Sequence, residues 1–350
     1  MKLRSMTLAV LLCLLINCIA ITSCAKKEEK FSAYSFEYFD TVTTVSGYAK
    51  SQAEFDAASA EILAELGEYH KLFTIYHRFD GMENLCTINE LVNGQHRTVT
   101  VDKRIIDMLL FAKDMYELTD GRVNIAMGSV LSIWHDYRNE GIKDPAAAKL
   151  PPMEKLEAAA EHTDIDCIVI DEENLTVTIT DPAMKLDVGA VAKGYAVEMV
   201  AKTMEKKALS GYILNVGGNV RAVGEKPDGE GWTVGIEDPA EEVDYVAYLA
   251  LKNESLVTSG SYQRYYLVNG KRYHHIIDPD TLMPANRYMS VSVLTSDSGM
   301  ADALSTALFC MTLDEGRALV DSLPEVEAQW IDLNGVRHTT SGWKNYTVEI

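Results

Sequence analysis

Leu186-Asp187-Val188-Gly189-Ala190-Val191-Ala192-Lys193-Gly194-Tyr195 runs from a strand-like apolar start, through small residues, into a helical pattern. Such a turn exposes backbone groups and lets a ligand come close to the main chain. Lys193 sets a cation beside it. Gly-Ala turns also serve tight packing, so this stretch alone fixes how the chain reverses, not what it binds. Downstream, the spacing predicts a helix over Ala192 to Lys206. Upstream, two β-rich runs between Cys167 and Thr180 flank the turn Asp171-Glu172-Glu173-Asn174 and predict a hairpin.

Farther out, Val42 to Tyr48 alternates like a strand. Phe55, Ala58, Ile62, Leu66 and Tyr69 recur at helical spacing, as do Ile105, Leu109, Ala112 and Tyr116. Further strands are predicted at Tyr212 to Val216, Trp232 to Ile236, Tyr245 to Leu251, Arg264 to Val268 and Val291 to Leu294, and a helix at Ala301 to Met311. Hairpins mixed with a few helices give an α+β class, not a repeating βαβ pattern. The stretch from Asn139 to Glu161, with Pro151-Pro152 and several alanines, reads as a surface excursion. The acidic run from Asp238 to Asp244 reads as a solvated loop.

At the N-terminus, Lys2 and Arg4 precede an apolar run from Thr7 to Ile21. That is signal-peptide length and short of the roughly 20 residues a spanning helix needs. It ends at Ile21-Thr22-Ser23-Cys24, which resembles a bacterial lipobox, with Cys24 as the lipidated residue. The expected division is a signal peptide over 1–23, the lipidated Cys24 and a charged tether over 24–33, and a single domain over 34–350. Cleavage before Cys24 removes two positive charges and takes the formal net charge from −20 to −22. Nucleic acid is then excluded as a partner, because phosphate binding needs a basic face. An acidic protein that handles a phosphate ester has to import positive charge, and a divalent metal is the usual means. Cys86, Cys167 and Cys310 show no C-x-x-C spacing, so neither a zinc site nor a disulfide framework is indicated.

Three more stretches carry chemistry. Asn215-Val216-Gly217-Gly218-Asn219-Val220-Arg221 places adjacent glycines after an apolar strand, fit for a hairpin turn or for a backbone close to a ligand. Thr258-Ser259-Gly260-Ser261-Tyr262 is followed by His274-His275-Ile276-Ile277-Asp278-Pro279-Asp280-Thr281. Two adjacent histidines in a strand face opposite ways, so at most one looks into a given site. In Met300 to Phe309, Asp302 and Thr306 share one helix face. Their oxygens suit Mg²⁺, although Asp302 could equally be a cap.

The order and wording of these pieces resemble the FAD:protein FMN transferase family, also called the flavin transferase or ApbE family. The resemblance runs from about Tyr38 to Met311, through Thr41, Phe73-Thr74-Ile75-Tyr76 and Thr119-Asp120-Gly121-Arg122-Val123-Asn124. It continues through Leu186 to Tyr195, Asn215 to Asp238, Thr258 to Pro284 and Asp302 to Phe309. It implies a T-fold-like arrangement of antiparallel sheets with packed helices, FAD as substrate, and Mg²⁺ on the pyrophosphate. The implied metal ligands are the Ala190 carbonyl, the Asp302 carboxylate and the Thr306 hydroxyl. Asp187 and Lys193 would contact FAD; Tyr76, Arg122, Val123, Asn124 and Ile276 would line its pocket; His275 would be the catalytic base.

Three positions depart from the family pattern. Phe39-Asp40 replaces a usual Met-Gly, Asn124 a common aspartate, and Leu282 a frequent glycine, which predicts a different path for that turn. The implied reaction moves FMN from FAD to a threonine or serine hydroxyl of an acceptor flavoprotein and releases AMP. The acceptor would belong to a membrane redox complex, with this chain lipid-anchored to a cell membrane and facing the periplasm or exterior. Two rivals keep the flavin: an FAD pyrophosphatase, and a lipoprotein that binds flavin without chemistry.

Overall fold

The computed structural model describes residues 27–92 and 97–349. The expected signal peptide and Cys24 lie outside the described residues. The strands are β1 (Glu29–Ser35), β2 (Thr43–Ala49), β3 (Arg97–Thr100), β4 (Ile168–Asp171), β5 (Thr176–Ile179), β6 (Tyr212–Val216), β7 (Asn219–Val223) and β8 (Trp232–Glu237). They continue as β9 (Tyr245–Leu251), β10 (Ser255–Gly260), β11 (Tyr265–Val268), β12 (Lys271–His274), β13 (Tyr288–Thr295), β14 (Glu327–Asp332) and β15 (Arg337–Thr339). The helices are α1 (Gln52–Phe73), α2 (Leu85–Val92), α3 (Lys103–Leu118), α4 (Gly128–Lys143), α5 (Met153–Ala160), α6 (Ala192–Lys206), α7 (Ser298–Cys310) and α8 (Leu313–Asp321).

An 8-stranded antiparallel sheet in the order β1-β2-β6-β7-β10-β13-β14-β15 is the frame. Its central strands β7 and β13 carry Val repeatedly and bury residues on both faces. Helices α1, α6 and α7 cover one face, packing Phe55, Leu66, Val197, Ala201, Leu304 and Leu308 against it. The β8–β9 hairpin covers the other, with Trp232, Leu249 and Leu251 against Val220, Leu256 and Leu294. A third apolar cluster joins α4 and α5 to β11 and the residues after β12 through Trp134, Leu156, Tyr266 and Ile277. Mixed helices and antiparallel sheet are the expected α+β class.

The tether and the surface excursion differ from the sequence reading. The expected tether is already sheet by Glu29: Phe31 and Ala33 turn inward while Lys30, Ser32 and Tyr34 face out, and Phe31 packs on Phe55 at 5.7 Å. Charge at Glu29 and Lys30 is what an edge strand carries to deter further pairing. The stretch from Asn139 to Glu161 is not all excursion, since it holds the end of α4 and the whole of α5. Pro152 caps α5, and Leu156 is fully buried in the third cluster, a burial that contributes about 1.5–3 kcal/mol.

α6 is tied to β7 by a buried ion pair. Arg221 Nε meets Glu198 Oε2 at 3.1 Å, with both side chains 4% exposed. The same Glu198 oxygen accepts from Ser298 N at 2.9 Å and so fixes where α7 starts. Glu198→Ala leaves a buried guanidinium short of its main partner, and we expect a loss of about 3–5 kcal/mol. A urea midpoint unchanged from the parent protein would contradict this.

Candidate functional site

α7 begins earlier than the apolar pattern implied. Asp297 is its cap, accepting from Met300 N at 2.9 Å, so Asp302 sits in the second turn with its carboxylate free of capping duty. Asp302 is 6% exposed. Its Oδ2 accepts from Gly194 N at 2.8 Å and its Oδ1 from Lys193 Nζ at 3.1 Å. A Cβ at Gly194 would lie 2.4 Å from both Asp302 Cβ and Ser298 O, so only glycine lets α6 come this close to α7. In an ordinary helix Gly194 N would serve the carbonyl of Ala190. Here it serves Asp302, and no described N–H reaches the Ala190 carbonyl. Thr306 stands one turn past Asp302, its hydroxyl donating to the Asp302 carbonyl at 3.4 Å. Among the described residues there is no group of three or more His, Cys, Asp or Glu able to hold a metal. A cation here would rest on a mixed oxygen set: one carboxylate, one hydroxyl, one carbonyl.

The turn before α6 is built as its sequence suggests. Residues 186–188 lie outside the helices and strands, held by Asp187 N to Ile125 O at 2.9 Å and by a two-way contact of Leu186 with the Asn89 amide. Asp187 Oδ1 accepts from Gly189 N at 2.9 Å and closes the bend. Its Oδ2 lies 3.9 Å from Nε2 of His135, on α4. His135 Nδ1 is 3.4 Å from the Tyr76 hydroxyl. Burial, helped by the Asp187 charge, pushes the Tyr76 phenol up to about 12, so it is a neutral donor.

The two adjacent histidines have separate duties. His274 Nε2 donates to Ala285 O at 2.6 Å, its Nδ1 accepts from Ile276 N at 3.2 Å, and its ring packs edge-on against Phe309. Both nitrogens are spent on structure. His275 donates from Nδ1 to Arg264 O at 3.3 Å, which leaves Nε2 as a free acceptor. Burial first, then the Arg264 cation, drives its pKa down to about 3. His135, Arg138 and His275 line one small cavity behind this face. Ile276 beside it is buried.

The turn at Arg122, Val123 and Asn124 offers a ligand main chain, not side chains. Arg122 is paired with Asp280 and lies 3.7 Å from Asp278. Val123 is buried, and the Asn124 amide binds Thr163 O at 2.9 Å and Ala126 N at 2.8 Å. Asn124 N itself donates to no described group. Gly217 and Gly218 form the β6–β7 turn with φ of 55° and 85°, and a Cβ at Gly217 would strike Thr41 Oγ1. That turn borders a cavity of about 280 Å³ with Thr44, Glu237, Thr258 and Tyr262. The turn at Leu282 keeps the left-handed path a glycine would take, with φ 58°, contrary to the expected detour. Left-handed backbone costs an ordinary residue about 1–2 kcal/mol. Packing of its side chain in the third cluster and acceptance by its carbonyl of Trp134 Nε1 at 3.0 Å offset that.

His135 and Arg138 were not singled out by the sequence. Their one signal is spacing, since three residues apart on α4 they share a face. Burial lowers the pKa of His70, His135, His274 and His275. Each is neutral in the fold and protonated in the unfolded chain below about pH 6.5, so its stability contribution is complete above that pH and is lost as pH falls. His275, driven down to about 3, stays neutral at pH 5 and costs about 2 kcal/mol there. Thermal unfolding should therefore move to lower temperature between pH 7 and pH 5, and a flat profile would contradict these burials.

Residues 39–330 match the sequence model of the ApbE family. A FAD:protein FMN transferase of Treponema pallidum is 30% identical over 302 residues, covering 83% of this chain and 82% of the relative. One from Vibrio cholerae is 30% identical over 297 residues, covering 84% and 81%. The crystal structure of an ApbE protein from Thermotoga maritima superposes with a TM-score of 0.78 at 26% identity, over 92% of this chain and 100% of that one. The flavin transferase ApbE of Vibrio cholerae superposes with a TM-score of 0.74 at 22% identity, over 91% and 99%.

Proposed function

This chain belongs to the ApbE family, and we propose that it is an FAD:protein FMN transferase that uses Mg²⁺ to move FMN from FAD onto a threonine or serine hydroxyl of an acceptor flavoprotein, releasing AMP. The observation that carries this reading is the Asp302 carboxylate drawn against the N-terminus of α6, where the Ala190 carbonyl accepts from no described N–H. Hard oxygens from Asp302, Thr306 and Ala190 fit Mg²⁺, which commonly takes a few protein oxygens and completes its shell with substrate phosphates. When bound, the ion supplies charge neutralisation at the diphosphate of a chain whose formal charge is −20.

The chain's own groups do the rest. The Gly189-Ala190 bend, closed by Asp187, brings backbone near a bound dinucleotide. Lys193, half of a partly buried ion pair, can exchange Asp302 for a phosphate oxygen. Tyr76 lends an apolar ring with a neutral hydroxyl, and Ile276 an apolar wall. His275, with Nδ1 committed to Arg264 O, turns its unprotonated Nε2 to the acceptor hydroxyl and takes that proton as the oxygen attacks phosphorus.

A second part of the reading concerns place. We infer export by the signal peptide over 1–23 and lipid attachment at Cys24, on the outer side of a cell membrane. Five steps of extended chain from Cys24 to Glu29 reach at most about 18 Å, so β1 would lie close to the bilayer. A membrane-held flavoprotein acceptor fits that position. Cys24→Ala should shift the protein from the membrane fraction to the soluble fraction; retention would remove the anchor.

The reaction is tested by incubating the protein with FAD and Mg²⁺, with and without an acceptor flavoprotein. AMP should appear in step with covalently bound flavin. AMP formed equally fast without acceptor would make this a pyrophosphatase, and no AMP with any divalent metal would make it a flavin-binding protein.

A further inference from the structure

In a chain with 52 acidic and 32 basic residues, two arginines beside the candidate base have no ion-pair partner among the described residues. Arg138, half-buried on α4, and Arg264, in the loop before β11, make no side-chain ion pair or hydrogen bond with any described residue. By contrast, Arg122 and Arg221 are each held by two carboxylates. A guanidinium carries five donors in a planar fork and suits the oxygens of a phosphate. A half-buried one left unpaired is costly unless an anion completes it.

Both cations converge on one place. Arg138 shares its cavity with His135 and His275. The Arg264 carbonyl holds His275 Nδ1 at 3.3 Å, the Arg264 guanidinium charge acts on Tyr76, His135, Arg138 and His275, and Asp187, at the mouth of the ligand turn, stands 3.9 Å from His135 Nε2. The bend from Asp187 to Lys193 therefore has two sides: Asp302 and Thr306 toward α7, and this arginine and histidine group toward α4 and β11.

We propose that Arg138 and Arg264 form an anion clamp for the FMN-side phosphate, opposite the oxygens assigned to the metal. This rests on the transferase reading and extends it to the phosphoryl group that moves. In the step so arranged, the bond from the FMN phosphorus to the bridging oxygen breaks, and its electron pair departs with AMP. The bond from the acceptor oxygen to that phosphorus forms, and the hydroxyl proton passes to His275 Nε2. The clamp stabilises charge on the non-bridging oxygens as this happens. Burial is the first cause of the low His275 pKa in the free protein, and the Arg264 and Arg138 cations add to it. A bound phosphate offsets the two cations and so raises the affinity of the imidazole for a proton.

The test is metal-free binding of FMN, AMP and riboflavin to the full protein and to Arg138→Gln and Arg264→Gln, read by fluorescence or calorimetry. FMN should bind each variant at least 10-fold more weakly, with riboflavin and AMP unchanged. FMN affinity equal to the parent's in both variants would overturn the clamp; so would a parallel loss of riboflavin affinity, which marks a structural role. Arg264 is exposed, so Arg264→Gln carries the test if Arg138→Gln does not fold. In Arg264→Gln the His275 titration, followed by NMR, should rise without ligand; a purely structural change leaves it where it is. Loss of FMN binding in a protein that never forms AMP from FAD would keep the clamp and remove the transferase. Normal FMN binding by the variants of an active transferase would do the reverse.

Discussion

Asp302→Asn is expected to fold and to lose transfer by about 10²–10³-fold, the scale seen when a group that stabilises developing charge is removed. Asparagine keeps the shape and can still accept from Gly194 N, so the approach of α6 to α7 survives. What it loses is the single buried carboxylate among the three oxygens assigned to Mg²⁺. Asp302→Ala is the harsher form. It also strands the Lys193 ammonium and the Gly194 amide in a partly buried place, adding a stability cost of about 3–5 kcal/mol. The two variants together separate chemistry from folding: both should be inactive, and only the alanine should melt early. An asparagine variant with the parent rate would remove Asp302 from the reaction.

His275→Ala is the second large effect, expected at about 10²–10⁴-fold on the transfer rate, the range for a positioned proton acceptor. FAD affinity should stay within a few-fold, because the ring's one observed hydrogen bond is to a backbone carbonyl and its other nitrogen is unengaged. His274→Ala should behave oppositely. It removes two bonds to main chain and an edge contact with Phe309, so it lowers stability before it touches the rate. Lost FAD binding in His275→Ala with no separate effect on the rate would make His275 structural as well.

Where the apolar period was long and unbroken, the chain was legible: α6 begins and ends where Ala192 to Lys206 predicted, and the hairpin around Asp171 to Asn174 is β4–β5. Short elements were not. α5 is eight residues long with Leu156 as its one buried side chain, too little for a period to show. β1 hides its alternation behind Glu29 and Lys30, and only the register Phe31 to Gly47 shows which face is inside. At the candidate site, Asp302 and Thr306 could be paired by helical spacing. That Asp302 displaces the Ala190 carbonyl from Gly194 N is a tertiary fact, since 108 residues separate the partners. His135 and Arg138 read as an ordinary half-solvated face of α4, and only the fold brings Asp187 and His275 to them. Leu282 shows the limit of reasoning from residue type. A glycine path persists there because neighbouring contacts offset the strain.

Crystals grown with FAD and Mn²⁺, in place of Mg²⁺, would place the cation by its anomalous signal. The expected peak lies between the diphosphate and the Asp302 carboxylate, with the Thr306 hydroxyl and Ala190 carbonyl in its shell and Lys193 moved off Asp302. A peak elsewhere, or a diphosphate bound away from α7 with the Lys193–Asp302 pair intact, would contradict the assignment of this turn and helix as the place where FAD is cleaved.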